Sequence, residues 1–279
     1  MDFDVAVIGG GSAGYSAAST AQSLGARVAI IDPGPLGGLC ILKGCMPTKT
    51  ILRTSDIMAL MRRAEEFGIR PVAPQASLPA INDRKNKLIQ EFTDYRIQQL
   101  KDSRFTLIQE RAEFISPHEI RVGDQTLKAK SFILATGSVI ADYPVSGLTE
   151  TGYITSDDVL QMREAPQSII VLGAGAVAVE LAQFFLRIGV EVTLLQRSPH
   201  ILSKGDEDLA RPVEHRFRQE GMNLFTGTNI LRAEKNQEGA TIYFQHEGEE
   251  KSVRAQTILQ ALGRRPNIDG LHLESAEVE

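Results

Sequence analysis

The sequence predicts an α/β protein in which one strand–turn–helix–strand unit occurs twice. Residues 3–32 and 167–196 have the same features in the same order: an apolar run, a glycine-rich turn, a helix of small residues and a second apolar run. This order is typical of the βαβ unit. The length of 279 residues allows two domains with separate cores. We therefore predict parallel sheets covered by helices on both faces.

The two glycine-rich turns both fit the spacing G-x-G-x-x-G/A. The first glycine allows a tight turn, the second lets a pyrophosphate approach the backbone, and the small third residue lets the helix pack on the strand. Free N–H groups at the helix start then face the phosphates. Two matches in this context favour a pair of Rossmann-like dinucleotide-binding domains over ordinary glycine-rich turns. The predicted binding residues are Gly9, Gly11, Ser12, Ala13, Gly14, Gly173, Gly175, Ala176 and Val177.

The two units differ at the end of their second strand. Asp32 ends the first, and a carboxylate there accepts hydrogen bonds from the hydroxyls of an adenosine ribose, which suits FAD or NAD. Gln196 and Arg197 end the second. An amide beside a cation tolerates a 2′-phosphate better than a carboxylate does, so the second site favours NADP(H) over NAD(H). The alternative for Arg197 is a solvated surface residue.

Charge and hydropathy exclude several classes of partner. The net charge is −5 without a long Lys/Arg run, so we expect no nucleic-acid binding. The apolar stretches are shorter than the roughly 18–20 residues that a membrane span needs. The N-terminus lacks the basic start of a signal peptide, so we expect a cytoplasmic protein.

Cys40 and Cys45 are the only two cysteines in the chain. Such a close pair indicates redox or metal chemistry rather than a structural crosslink. A helix is expected at 50–66, and its dipole would stabilise a thiolate at its start. A zinc site would need two further ligands, for which we see no pattern, so we expect no bound metal. Two inert buried thiols are the other alternative.

The segment GGLCILKGCMPTK resembles the redox motif of the class I flavoprotein disulfide reductases, the family of dihydrolipoyl dehydrogenase, glutathione reductase and mercuric reductase. Three later segments resemble other parts of that family: the A-T-G turn, the lead into the nicotinamide domain, and the G-R-x-P-N segment that returns the chain to the flavin domain. They are 135–138, 155–158 and 261–267. The chain departs from the family motif at Leu39 and Leu42, where Thr and Asn are usual, which weakens any inference about the substrate.

The resemblance implies roles for individual residues. Cys45 faces the flavin, Cys40 meets the substrate, and Lys49 pairs with Glu180 beside the flavin, where a buried lysine needs a carboxylate partner. It also implies that Gly38, Ala135, Thr136, Gly137 and Gly263 contact the cofactors.

The resemblance also implies the domain organisation. Residues 1–148 and 266–279 would form the FAD-binding domain, and 149–265 an inserted NAD(P)-binding domain. The family's C-terminal dimerisation domain, with its catalytic His-x₄-Glu, is expected to be missing from this chain, and the full-length form is expected to be a homodimer. His215 and Glu220 have the His-x₄-Glu spacing but fall in a charged helical stretch, 209–221, so we interpret them as a solvated helix face.

We therefore expect electrons to pass between NAD(P)H, FAD and the Cys40–Cys45 pair, with a small or protein-bound disulfide or dithiol as substrate, as in dihydrolipoyl dehydrogenase. The alternatives are a mercuric reductase-like enzyme, a redox-sensing flavin-binding module, or a quinone-type reductase that does not use the thiols. The remaining elements predicted are a helix at 81–101 and strands at 105–115, 120–122, 126–134 and 240–245.

Overall fold

The computed structural model describes residues 1–237 and 239–278. The helices are α1 (Ser12–Ser23), α2 (Gly38–Leu42), α3 (Cys45–Arg62), α4 (Leu78–Leu100), α5 (Leu148–Thr151), α6 (Ser156–Val159), α7 (Ala176–Arg187) and α8 (Glu207–Gln219). The strands are β1 (Phe3–Ile8), β2 (Val28–Ile31), β3 (Thr106–Ile108), β4 (Ala112–Ser116), β5 (Glu119–Val122), β6 (Gln125–Leu134), β7 (Ser138–Ile140), β8 (Ser168–Leu172), β9 (Glu191–Leu195), β10 (Asn223–Phe225), β11 (Asn229–Asn236), β12 (Gly239–His246), β13 (Glu249–Ala255), β14 (Thr257–Gln260) and β15 (Arg264–Pro266). Short 3₁₀ helices occupy Ala64–Phe67 and Leu273–Ala276.

The chain divides into two compact units. The first comprises Met1–Met46, Asn86–Val139 and the segment from Arg264, and the second comprises Pro47–Lys85 and Ile140–Gly263. The predicted α/β class with parallel sheets is confirmed. The described part of the chain contains no helix both long enough and apolar enough to cross a membrane.

The first unit contains a six-stranded sheet in the order β3-β2-β1-β6-β5-β4. The strands β3, β2, β1 and β6 are parallel, whereas β5 runs antiparallel to both β6 and β4. Ala6, Val7 and Ile8 of β1 are buried. Ala6 and Ile8 belong to an apolar cluster on one face of the sheet, and Val7 belongs to a cluster on the other face. The predicted strand at 105–115 is in fact two strands, β3 and β4, which pair with different neighbours in the sheet.

The second unit contains a parallel sheet in the order β10-β9-β8-β14 and an antiparallel meander of β11, β12 and β13. Residues 169–172 of β8 are fully buried, as expected of a central strand covered on both faces. The helix predicted at 209–221 and the strand predicted at 240–245 correspond to α8 and β12.

Residues 47–85 lie in the second unit, although the sequence places them in the FAD-binding domain. The physical reason is hydrophobic burial, because Ile51, Leu78 and Ile81 belong to the same buried cluster as Phe184 and Phe185 of α7.

Polar contacts attach the start of α4 to the second unit as well. Asn82 and Lys85 are buried, and their side-chain nitrogens donate to the carbonyls of Met162 and Leu160, respectively. Burial lowers the pKa of Lys85.

Candidate functional site

The first glycine-rich turn joins β1 to α1 and lies against the 135–137 turn. Gly9 has a φ of +108°, and a Cβ there would lie 2.3 Å from the carbonyl oxygen of Ala135. The Ala135 N–H donates to the Ile8 carbonyl at 2.8 Å, which fixes this approach. Only glycine fits at position 9, and the α1 N-terminus is left facing the end of the sheet.

Asp32 follows β2 and caps the same turn. One carboxylate oxygen accepts a hydrogen bond from the Gly10 N–H at 2.6 Å, and the other accepts one from the Gly34 N–H at 2.8 Å. Each carboxylate oxygen accepts about two hydrogen bonds, so capacity remains for ribose hydroxyls.

A cleft of about 760 Å³ opens at this end of the sheet in the first unit. Its volume falls within the range of ligand sites, roughly 300–1,000 Å³. Its lining includes Gly9, Asp32 and Thr136 from the predicted set. No cofactor contact was predicted for the other lining residues: Ile8, Ile31, Pro33, Gly34, Gln109, Glu110, Arg111, Ala112, Glu113, Arg121, Gly123, Asn267, Asp269, Gly270, Leu271 and His272.

The G-R-x-P-N match, residues 263–267, is the sequence signal for part of that lining. Gly263 belongs to the second unit. Asn267, at the other end, donates from its backbone N–H to the Gly137 carbonyl at 3.1 Å and from its side chain to the Thr136 carbonyl at 3.3 Å. Arg264 bonds the Ser138 hydroxyl at 2.9 Å.

The two cysteines form a disulfide with a Cα–Cα distance of 5.2 Å. The sequence predicts the cysteines at the start of the long helix. Cys45 is indeed the first residue of α3, whereas Cys40 lies in the preceding short helix α2. Cys45 is exposed and Cys40 is half-buried. A thiolate formed at Cys45 would therefore lie at the N-terminus of an 18-residue helix, whose dipole stabilises negative charge.

The segment leading to the disulfide touches the glycine-rich turn. A Cβ on Gly38, where φ is +75°, would lie 2.4 Å from the Gly11 Cα. The two backbones are thus in direct contact, and the dithiol and the dinucleotide turn belong to one compact unit.

The second glycine-rich turn joins β8 to α7. Gly175 has no described heavy atom within 4 Å of the position its Cβ would take, and it is exposed together with Ala176 and Val177. Ala178 is buried against the strand. The turn therefore has room for a pyrophosphate at the N-terminus of a 12-residue helix.

At the end of β9, Gln196 is buried and Arg197 is exposed. The Gln196 amide nitrogen lies 3.4 Å from both the Ser203 hydroxyl and the His200 carbonyl. At this end of the sheet the Gln196 amide nitrogen is thus engaged within the unit, whereas Arg197 is exposed.

Lys49 and Glu180 meet in the second unit, with Lys49 Nζ 2.5 Å from Glu180 Oε1. The family resemblance implies a buried lysine, but the Lys49 side chain is 58% exposed and that of Glu180 is 28% exposed. Lys49 lies one turn into α3 and extends along the surface to reach α7, which accounts for the difference.

His215 and Glu220 do not form a catalytic pair. His215 Nε2 lies 2.8 Å from the Gln219 side chain. Glu220, only 13% exposed, bonds Arg187 at two points, 2.9 Å each, and Arg216 at 2.7 Å. Burial raises the pKa of Glu220, but the two guanidinium groups outweigh burial and the net pKa lies below the usual value.

We expect Glu220→Gln to destabilise the chain by about 2 kcal/mol at neutral pH, because Arg187 loses its charged partner. Since the pKa of the folded-state carboxylate is lowered, its contribution is present above pH 4.5 and is lost as the pH falls through the lower folded value. Denaturant unfolding from pH 7 to pH 3 should show the difference from wild type shrinking. Glu234→Gln, at an exposed pair with Arg232, serves as the control and should change stability little. An equal loss in both variants would contradict the prediction.

The described residues contain no group of three or more His, Cys, Asp or Glu side chains that could hold a metal ion.

A family model for pyridine nucleotide-disulphide oxidoreductases matches residues 3–279. A mercuric reductase of Staphylococcus aureus is 36% identical over 279 residues, covering 100% of this chain and 51% of the relative. A dihydrolipoyl dehydrogenase of Thermus scotoductus is 34% identical over 281 residues, covering 99% of this chain and 60% of the relative. The solved structure of the HOCl-induced flavoprotein disulfide reductase RclA from Escherichia coli superimposes with a TM-score of 0.81 at 26% identity, covering 99% of this chain and 60% of that one.

The chain thus spans between half and about three fifths of the length of these relatives. The family match extends over both compact units, the two glycine-rich turns and the disulfide. The chain belongs to the pyridine nucleotide-disulphide oxidoreductase family.

Proposed function

We propose that this chain binds FAD in its first unit and NAD(P)H in its second, and that it moves electrons between the nicotinamide and the Cys40–Cys45 disulfide. The observation that carries the proposal is the contact between Gly38 and Gly11, which places the dithiol segment directly on the FAD-type turn. The cleft, the Asp32 carboxylate and the bare backbone at Gly9 fit the adenosine and pyrophosphate of FAD.

FAD, when bound, would supply the two-electron step that links hydride donation by the nicotinamide to disulfide opening. Residues of the chain would bind the two cofactors and stabilise charge on them. The N-termini of α1 and α7 would hold phosphates, Asp32 would hold the ribose, and Lys49 would take the role that the family resemblance implies, stabilising the negative charge of a reduced flavin. Two electrons and two protons convert the disulfide to two thiols. The proposed order is that Cys45 accepts the electrons and Cys40 then attacks the substrate.

The substrate we propose is a small or protein-bound disulfide or dithiol, with a dihydrolipoyl dehydrogenase-like reaction as the main candidate. A mercuric reductase-like reaction is the second candidate, because the S. aureus mercuric reductase is 36% identical across the whole chain. Paired thiolates also bind soft metal ions. The homodimer of a full-length form and the cytoplasmic location stay predictions.

The direct test is an anaerobic titration of the FAD-loaded chain with NADPH. We expect the flavin absorption to fall, a long-wavelength absorption band to appear, and two thiols per chain to become reactive with a chromogenic disulfide reagent. A chain that binds no FAD, or whose flavin is reduced without release of thiols, would contradict the proposal.

We further propose that the second unit prefers NADPH, because the exposed Arg197 is available to a 2′-phosphate. Arg197→Glu should raise the KM for NADPH about tenfold, the size expected for losing one charge-assisted hydrogen bond, and leave the KM for NADH nearly unchanged. Steady-state reduction of an artificial acceptor with each nucleotide measures this. Equal effects on both nucleotides would rule out the 2′-phosphate contact.

A further inference from the structure

Two ion pairs join α3 to α7, and the residues that form them are equally far apart along the two helices. Lys49 Nζ lies 2.5 Å from Glu180 Oε1, and Arg187 Nη1 lies 2.6 Å from Asp56 Oδ1. Lys49 and Asp56 are seven residues apart on α3, and Glu180 and Arg187 are seven residues apart on α7. The two helices therefore run side by side in the same direction through this contact.

The order of charges makes the register specific. Along α3 the cation precedes the anion, whereas along α7 the anion precedes the cation. Seven residues make about two helical turns, or roughly 10.5 Å. A slip of α3 by two turns would place Lys49 opposite Arg187 and pair like charges. Ile51 lies between the two pairs on α3 and belongs to the same buried cluster as Leu181 of α7.

The two pairs differ in how firmly they are held. Lys49 is 58% exposed, and exposed pairs hold their geometry weakly. Arg187 is 13% exposed and donates two hydrogen bonds to the carboxylate of Glu220, which is equally buried. The Arg187 carbonyl also accepts a hydrogen bond from Arg62 at the end of α3, at 2.7 Å. Arg187 is therefore the more firmly held residue of the α3–α7 contact, and Lys49 is the less firmly held one.

We propose that Arg187, acting through Asp56, is a positioning residue that sets the register of α3 on α7 and thereby holds Lys49 against Glu180. The inference rests on the proposed role of Lys49 and Glu180 beside the flavin, but the register itself is a property of the second unit alone.

The variant that tests this is Asp56→Ala. It breaks the link to α3 and leaves the Arg187–Glu220 contact, so the unit should fold. Asp83→Ala is the matched control, because it removes another Asp–Arg pair of the same unit, with Arg163, from α4 instead of α3. Glu180→Gln removes the partner of Lys49 directly, and Asp56→Glu keeps the carboxylate.

The first readout is the rate at which an acylating reagent modifies Lys49, followed by mass spectrometry, because an ammonium held against a carboxylate is shielded. We expect acylation about threefold faster in Asp56→Ala, in line with losing an exposed pair. Glu180→Gln should be at least as fast, and Asp83→Ala and Asp56→Glu should resemble wild type. The second readout is the midpoint potential of bound FAD, which should shift in the same direction in Asp56→Ala and Glu180→Gln and stay unchanged in Asp83→Ala.

Wild-type acylation in Asp56→Ala alongside faster acylation in Glu180→Gln would overturn the proposal, because the Lys49 contact would then not depend on Asp56. No change in Glu180→Gln would overturn it too, since the contact would not persist in solution. Shielding of Lys49 that depends on Asp56, in a chain that reduces no disulfide, would support the register and contradict only the proposed function.

Discussion

Cys45→Ser should abolish NAD(P)H-dependent disulfide reduction, by at least roughly 10³-fold, while electron transfer from NAD(P)H to an artificial one-electron acceptor persists. The physical reason is that a serine hydroxyl neither forms a disulfide with Cys40 nor ionises near neutral pH, so the path from flavin to substrate is cut after the flavin. Steady-state assays of both reactions on the same preparation measure the separation.

Cys40→Ser is the matched partner, because it breaks the same disulfide and leaves Cys45 at the start of α3. It should lose disulfide reduction equally. The two variants should differ in spectrum: Cys40→Ser keeps Cys45, the thiol proposed to face the flavin, and should show the long-wavelength band without reductant, whereas Cys45→Ser should not. Full disulfide reductase activity in Cys45→Ser would exclude the dithiol mechanism. Acceptor reduction by a wild-type chain whose two cysteines NAD(P)H does not reduce would favour the quinone-type alternative.

Gly38→Ala should destabilise the chain by about 3 kcal/mol and weaken FAD binding by at least tenfold. Two costs combine: a left-handed φ of +75° costs an alanine roughly 1–2 kcal/mol, and the new Cβ would lie 2.4 Å from the Gly11 Cα. Relief requires Gly11 to move, and Gly11 belongs to the turn proposed to bind the FAD pyrophosphate. Denaturant unfolding and FAD fluorescence quenching measure the two effects.

Gly68→Ala separates the two costs. Gly68 has nearly the same φ, +72°, but no described heavy atom lies within 4 Å of its Cβ position. It should therefore lose only about 1 kcal/mol and bind FAD as wild type does. Equal losses in the two variants would show that backbone strain, and not the Gly38–Gly11 contact, carries the effect.

Local sequence patterns were sufficient for the elements that carry the proposed chemistry. The apolar runs, the glycine spacing and the small-residue helices predict β1, α1 and β2, and likewise β8, α7 and β9, because each βαβ unit is encoded within about thirty contiguous residues. The spacing of Cys40 and Cys45 is likewise local. The contact of Lys49 with Glu180 was available only through resemblance to a family, since 131 positions separate the two residues.

The tertiary structure decided what depends on long-range packing. Residues 47–85 joined the second unit because Ile51 and Ile81 bury their side chains in its core. Residues 109–113 and 267–272 line the same cleft only because the first unit folds to bring these distant segments together.

Glu220 illustrates the same limit at a single residue. The sequence predicts that Glu220 lies with His215 on a solvated helix face, but its carboxylate is only 13% exposed and pairs with Arg187 of α7. The sequence by itself determined the two dinucleotide units and the dithiol, since turn chemistry and periodicity act over neighbouring residues. The tertiary structure decided which helices belong to each unit and how α3 is aligned along α7. Both depend on side chains that are far apart in the chain but are buried together or paired by charge.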